Sequence, residues 1–188
     1  MNKYRLLRRV IVTGPDGCGK STLIKRLTQD PEGPSLQPFV GHDGGPPLTI
    51  EEVWARLNRF MSVPSGIIDR CVAVDEPVYS QLLRRDTPVE TNVFDEWLKS
   101  ANPYIIYVTT ANANISQEAK THKPKSLTAA VQENYFNLRT IYTARMQHLM
   151  VNLGLQVVLY DYTVDPDGEG LVDLLRYHDV ILDEKELH

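Results

Sequence analysis

Cysteine is scarce in this sequence: two residues, Cys18 and Cys71, in a chain of 188. That is too few for a disulfide framework, and both sit inside motif-like contexts, so the expected compartment is reducing and cytoplasmic. Long apolar runs are also missing. A membrane span needs roughly 18 consecutive apolar residues, whereas the longest runs here, such as Tyr104 to Val108, are strand-sized. The basic N-terminal residues precede an apolar run, Val10 to Val12, that is too short for a signal peptide. The five His and two Cys show no zinc-ligand spacing. No repeat or low-complexity tract is present. Nor is there an excess of positive charge: the net charge is −4, which disfavours a general coater of duplex DNA.

What is present fits one domain spanning 1–188, with 42% hydrophobic and 23% charged residues, enough to bury a core without staples. Charge is uneven. Residues 1–30 carry seven Lys/Arg against two Asp, or +5, and residues 161–188 carry nine Asp/Glu against two Lys/Arg, or −7. The positive end suits a small anion. The acidic end reads as a solvated polar tail over 179–188.

Strand and helix patterns alternate. Val10 to Thr13 is a short apolar strand, and Cys18 to Gln29 is a helix with Leu23, Ile24 and Leu27 on one side. Residues 31–47 are loop, rich in Pro and Gly, with Phe39-Val40 as a short strand. Thr49 caps a helix carrying Ile50, Val53, Trp54, Leu57 and Phe60. Ile67-Ile68 leads a buried strand into Asp69-Arg70. Helices are expected over Pro77 to Arg85 and Asn92 to Ala101, then a strand over Tyr104 to Thr109. Ser126 opens a long helix whose stripe is Leu127, Val131, Tyr135, Leu138, Tyr142, Met146 and Leu149. Gln156 to Tyr160 is another strand and Gly168 to Tyr177 a last helix. Apolar strands alternating with helices predict a three-layer α/β/α domain around a parallel sheet of roughly five strands. Ligands of such a sheet sit at the carboxyl ends of its strands.

The strongest motif is Gly14-Pro15-Asp16-Gly17-Cys18-Gly19-Lys20-Ser21, which satisfies G-x-x-x-x-G-K-S/T between an apolar strand and an amphipathic helix. Its glycines let backbone N–H groups curl around phosphate oxygens, and the helix N-terminus adds positive dipole. The expected ATP-binding set is Gly14, Asp16, Gly17, Cys18, Gly19, Lys20, Ser21 and Thr22. Lys20 would reach the β- and γ-phosphates, and Ser21 would offer its hydroxyl to Mg²⁺. The alternative is an ordinary Gly-rich turn between strand and helix.

Asp16 lies inside this loop. A carboxylate there is repelled by a triphosphate, so it either turns to a second ligand, such as a sugar hydroxyl, or bonds its own turn. Asp69 and Arg70 alternate in direction at a strand end. Asp69 could hold Mg²⁺ through water and Arg70 could clamp an acceptor phosphate. A structural ion pair is the other reading.

On these residues the chain resembles the thymidylate kinase family of nucleoside monophosphate kinases. Gly14-x-Asp16-x-x-Gly19-Lys20-Ser21 is similar to that family's phosphate loop, and Asp69-Arg70 to its Asp-Arg motif. The similarity is greatest to small, divergent kinases of bacteriophage type, through His42-Asp43-Gly44-Gly45-Pro46-Pro47 and through Asp69-Arg70 running on to Glu76-Pro77-Val78-Tyr79. The resemblance implies that Asp16 meets the deoxyribose 3′-hydroxyl, that Asp69 is linked to Mg²⁺, and that Arg70 holds the acceptor phosphate. It implies a lid over 111–125, here carrying Lys120, Lys123 and Lys125, and a homodimer. Trp54, Asn58 and Phe60 lie on the helix where the family places its base-stacking aromatic; core packing is the competing role. His42 would touch the acceptor or turn its loop. Several family features are absent: there is no Arg-Glu-Pro-Gly after the second strand, Gly17 stands where some members carry arginine, the lid has lysines for arginines, and Cys71 replaces a common aromatic.

The resulting expectation is an enzyme that moves the γ-phosphoryl of ATP, with Mg²⁺, to a deoxynucleoside monophosphate, dTMP or a modified pyrimidine. Lys20, Asp69 and Arg70 would carry the catalysis, and Asp16, His42, Trp54, Asn58, Phe60 and Arg70 the acceptor. A deoxynucleoside kinase of the same fold would need a base, with Glu76 or Asp43 as candidates. A modified-pyrimidine kinase acting on DNA would call for an extended basic groove. A nucleotide-dependent switch is the rival from another class, although no Asn-Lys-x-Asp motif is present.

Overall fold

A computed structural model describes residues 4–30, 33–43, 45–109, 134–161 and 163–183. Five parallel strands form the main sheet: β2 (Arg9–Thr13), β3 (Phe39–His42), β4 (Gly66–Asp69), β5 (Tyr104–Val108) and β6 (Val157–Tyr160). Their order is β3-β4-β2-β5-β6, so β2 is central and lies between β4 and β5. Val12 is paired with Asp69 on one side and with Ile106 on the other. The register thus brings the residues after β2 level with those after β4 and β5.

Side chains alternate between the sheet's two faces. Ile11, Ile68, Ile105 and Tyr107 join one core, with helices α2 (Ile50–Met61), α3 (Val72–Leu83), α4 (Thr91–Ala101) and α5 (Tyr135–Val151). Val10, Val12, Ile67, Ile106 and Val108 join the other, with α1 (Lys20–Gln29) and α6 (Glu169–Tyr177). These are the three expected layers. Of the long-helix stripe, Leu138, Tyr142, Met146 and Leu149 are buried, while Leu127 and Val131 lie outside the described residues.

Two expectations need correction. The helix placed at Pro77 begins five residues earlier, at Val72. Asp75 supplies the start signal, its Oδ2 accepting from Cys71 N at 2.9 Å. Pro77 then sits inside the helix, where it lacks the N–H that would bond the carbonyl of Ala73. Arg145 of α5 fills that gap, donating from Nη2 to Ala73 O at 3.0 Å. The other is the start of the solvated tail placed at 179–188, which is in part buried and paired. Val180 and Ile181 are buried, and β7 (Ile181–Asp183) pairs antiparallel with β1 (Tyr4–Leu6). Among the described residues, no helix is long and apolar enough to cross a membrane.

Candidate nucleotide site

The loop from Gly14 to Gly19 leaves the end of central β2 and enters α1 at Lys20. Gly14 has φ 141°, and a Cβ on it would meet Val108 O at 2.1 Å, so only glycine lets the loop pass the end of β5. Gly17 and Gly19 take φ of 77° and 91°. Gly19 is the N-cap of α1 and offers no side-chain acceptor. The first-turn N–H groups are therefore not claimed by a capping side chain, as an anion site requires. Lys20 is buried and folds back over the loop, donating from Nζ to Gly14 O at 2.8 Å and Pro15 O at 2.6 Å. Burial lowers its pKa, with the Cys18 sulfur opposing and Arg70 adding to the shift. Burial likewise raises the Cys18 thiol against the pull of Lys20. Ser21 and Thr22 are exposed on the first turn.

One strand over, Asp69 ends β4 and Arg70 turns into the left-handed region with φ 67°. Its backbone N–H donates to Val12 O at 2.8 Å, fixing that turn against β2. The turn aims the guanidinium at the loop, where Nη2 lies 2.5 Å from Asp16 Oδ1. Nη1 donates to the Tyr79 hydroxyl at 3.0 Å and the Tyr142 hydroxyl at 3.3 Å, and it lies 3.4 Å from Asp75 Oδ1. Tyr79 in turn donates to Asp16 Oδ2 at 3.0 Å. Burial works against the charge on Arg70, but the Tyr142 and Tyr79 oxygens and the Asp75 and Asp16 carboxylates outweigh it, and its pKa is raised. Burial pushes both tyrosine hydroxyls up, so they stay protonated.

Sequence similarity adds no identification: no family model matches the chain, and no curated protein matches it. Solved structures do match. One is the YorR protein of Bacillus subtilis, in complex with phosphorylated GDP, with TM-score 0.61 and 19% identity over 90% of this chain and 97% of that one. Another is deoxyadenosine kinase from M. mycoides with bound dATP, with TM-score 0.56 and 13% identity over 89% and 99%. The chain has the P-loop kinase fold. At these identities the likeness concerns the fold, and the thymidylate kinase branch is not singled out by it.

In this P-loop kinase fold, further polar residues stand at the ends of β3 and β4, on the side of the loop where Arg70 lies. His42 Nδ1 lies 3.0 Å from Asp69 Oδ2, while Asp69 Oδ1 is buried with no hydrogen-bond partner among the described residues. That orphaned oxygen fits a carboxylate awaiting a water or a cation. Asp43 is buried beside it, held by its N–H to Asp69 O at 2.9 Å and by an ion pair with Arg59. Burial raises the Asp43 pKa, with Arg59 and Arg56 opposing. Among the described residues, no group of three or more His, Cys, Asp or Glu could hold a metal alone. A magnesium ion sharing its coordination with phosphate oxygens and water needs no such group.

The remaining expected residues separate. Phe60, expected among the acceptor residues, is instead fully buried in the core, its ring 6.1 Å from that of Trp97. The helical period that turns Trp54 outward turns Phe60 inward, because they are six positions apart. Trp54 is 38% exposed and Asn58 is exposed. Among the described residues, no side-chain hydrogen bond or ring contact joins either of them to the loop. Glu76 is clamped by Arg85, Nη2 to Oε2 at 2.8 Å, and only 3% exposed, which leaves it poorly placed to act as a base. Lys120, Lys123 and Lys125 lie outside the described residues. Sequence reasoning missed Asp75, Tyr79 and Tyr142. Of these, only Tyr79 had a local signal, as part of the stretch after Asp69-Arg70.

Proposed function

We propose that the chain is a phosphotransferase that moves the γ-phosphoryl of ATP to a deoxynucleoside monophosphate, dTMP or a modified pyrimidine. One observation carries this reading. Arg70 stands beside the phosphate loop with its guanidinium on Asp16, so a cation for an acceptor phosphate and a carboxylate for a sugar hydroxyl adjoin the donor site. An already ionised acceptor needs no base, and the transfer then rests on positioning and charge neutralisation.

The loop N–H groups would cradle the donor, and Lys20 would leave the Gly14 and Pro15 carbonyls for the β- and γ-phosphates. Ser21 directly, and Asp69 through water, would hold Mg²⁺, which neutralises triphosphate charge when bound. Arg70 would exchange Asp16 for the acceptor phosphate, releasing the Asp16 carboxylate to the sugar. The two solved structures described above carry nucleotides, which supports a nucleotide ligand here.

Asp43 favours a second reading. It is a buried carboxylate at the acceptor edge whose pKa burial raises, the property of a base for a 5′-hydroxyl. The deoxyadenosine kinase neighbour accords with a nucleoside acceptor.

The test is ATP consumption with Mg²⁺ across deoxynucleoside monophosphates, free deoxynucleosides and a DNA oligomer, with products identified by mass. A diphosphate formed from a monophosphate is the expected product. Transfer to a nucleoside or to DNA alone would overturn the monophosphate reading, and ATP binding without any transfer would favour a switch.

A further inference from the structure

Asp75 is buried at the first turn of α3, and neither the phosphate loop nor the Asp-Arg pair includes it. Its two oxygens do different things. Oδ2 accepts from Cys71 N at 2.9 Å, which fixes the backbone just after the left-handed Arg70. Oδ1 accepts from Thr13 Oγ1 at 2.8 Å and from the Tyr142 hydroxyl, and it faces Arg70 Nη1 at 3.4 Å. One carboxylate therefore ties the last residue of β2, the turn after β4, the start of α3 and the middle of α5. These are the elements that enclose the Arg70 guanidinium.

We propose that Asp75 is a positioning residue, which sets Arg70 for the acceptor by holding the turn beneath it and one edge of its guanidinium. This rests on the reading of Arg70 as the acceptor-phosphate cation. Asp16 pairs with Nη2 of Arg70, whereas Asp75 faces Nη1. When an acceptor displaces Asp16, Asp75 and the two tyrosine hydroxyls are what remain to keep Nη1 in place. Without Asp75, the left-handed turn loses its anchor at Cys71 and Arg70 loses its inner carboxylate. Tyr79, whose ring lies 5.3 Å from the guanidinium, packs edge-on to Tyr142 and so belongs to the same assembly.

The test compares Asp75→Asn, Asp75→Glu and Tyr142→Phe with the wild-type chain. Asparagine keeps the size but brings an NH₂ against a donor, either Cys71 N or the Thr13, Tyr142 and Arg70 group. The acceptor KM should rise by on the order of tenfold in Asp75→Asn, while the KM for ATP stays within about twofold. A merely structural loss would lower the active fraction and move neither KM. Asp75→Glu, which keeps the charge, should recover part of the acceptor KM. Tyr142→Phe should shift it in the same direction by less, and it serves if Asp75→Asn does not fold.

A second readout needs no turnover. The Arg70 guanidinium resonance, assigned by its loss in Arg70→Lys, should show slowed proton exchange in the wild type and faster exchange in the Asp75 and Tyr142 variants. Unchanged exchange and an unchanged acceptor KM in folded variants would overturn the proposal. If the wild type phosphorylates no monophosphate, the functional reading fails, and the exchange measurement still decides whether Asp75 positions Arg70.

Discussion

Arg70 and Asp16 form an ion pair across the mouth of the phosphate loop, with Nη2 2.5 Å from Oδ1. The two opposite charges offset each other there. Arg70→Ala removes the cation and should lower kcat/KM by on the order of 10²- to 10³-fold, with ATP affinity retained. Arg70→Lys should rescue little, because a point charge cannot serve Asp16 and the tyrosines together. Steady-state kinetics beside ATP titration checks both, and activity within a few-fold of wild type in Arg70→Ala would rule out this role.

Asp43 gives a pH prediction. Its folded pKa is raised by burial, so between the ordinary carboxylate value and the folded value the native state binds more protons than the unfolded one. Stability contributed by this group is then present at acid pH and lost as pH rises through the folded pKa. Asp43→Asn removes that loss. The variant should gain Tm relative to wild type as pH rises from acid to neutral, and Arg59, 45% exposed in its side chain, can turn to solvent. Thermal melts across the acid range test the sign. If the acceptor is a monophosphate, transfer persists in this variant; if it is a nucleoside, transfer collapses.

The bond from Arg145 to Ala73 predicts a coupling. Arg145→Met leaves the Ala73 carbonyl and Asp95 without their guanidinium and should cost about 3 kcal/mol, roughly 10 °C in Tm for a domain of this size. Pro77→Ala restores the N–H that would bond that carbonyl within α3. The double variant should therefore lose less than the sum of the singles, in a denaturation cycle. Simple additivity would show that Arg145 is not filling the gap left by the proline.

Trp54 and Phe60 should part company. Phe60→Ala empties a fully buried position and should cost about 3–5 kcal/mol without altering the acceptor KM. Trp54→Ala should cost far less stability. If Trp54 stacks on the acceptor base, its loss raises the acceptor KM by on the order of tenfold. An unchanged KM would remove Trp54 from the acceptor site.

The legible part of this protein was the contiguous part. Gly14 to Ser21 and Asp69-Arg70 carry their chemistry in adjacent residues, and apolar strands such as Tyr104–Val108 announce a sheet covered on both faces. The assembly around Arg70 was not legible, because Thr13, Asp75, Tyr79 and Tyr142 come from β2, α3 and α5 and meet only after folding. Tyr142 stood in the sequence as one more member of an apolar stripe; its hydroxyl acquires meaning from Asp75 across the interface. The start of α3 was missed because a proline commonly marks a first turn, and nothing near Pro77 reveals that an arginine 68 positions later accepts the burden of its missing N–H. β1 and β7 escaped notice because three residues are too few to show a period.

The pairing of β1 with β7 has a consequence for biosynthesis. Leu6 and its partner Ile181 lie 175 positions apart (181 − 6), so Tyr4–Leu6 is made long before Ile181–Asp183. Leu6 is buried partly by that late strand's side of the core, which also holds Ile181 and Val180. A nascent chain therefore carries an unpaired strand and an uncovered apolar contact until Ile181–Asp183 has been made. Closure of the ribbon waits for residues 181–183, and a chain truncated before residue 181 should be more readily cleaved by protease near Tyr4–Leu6 than the 188-residue chain.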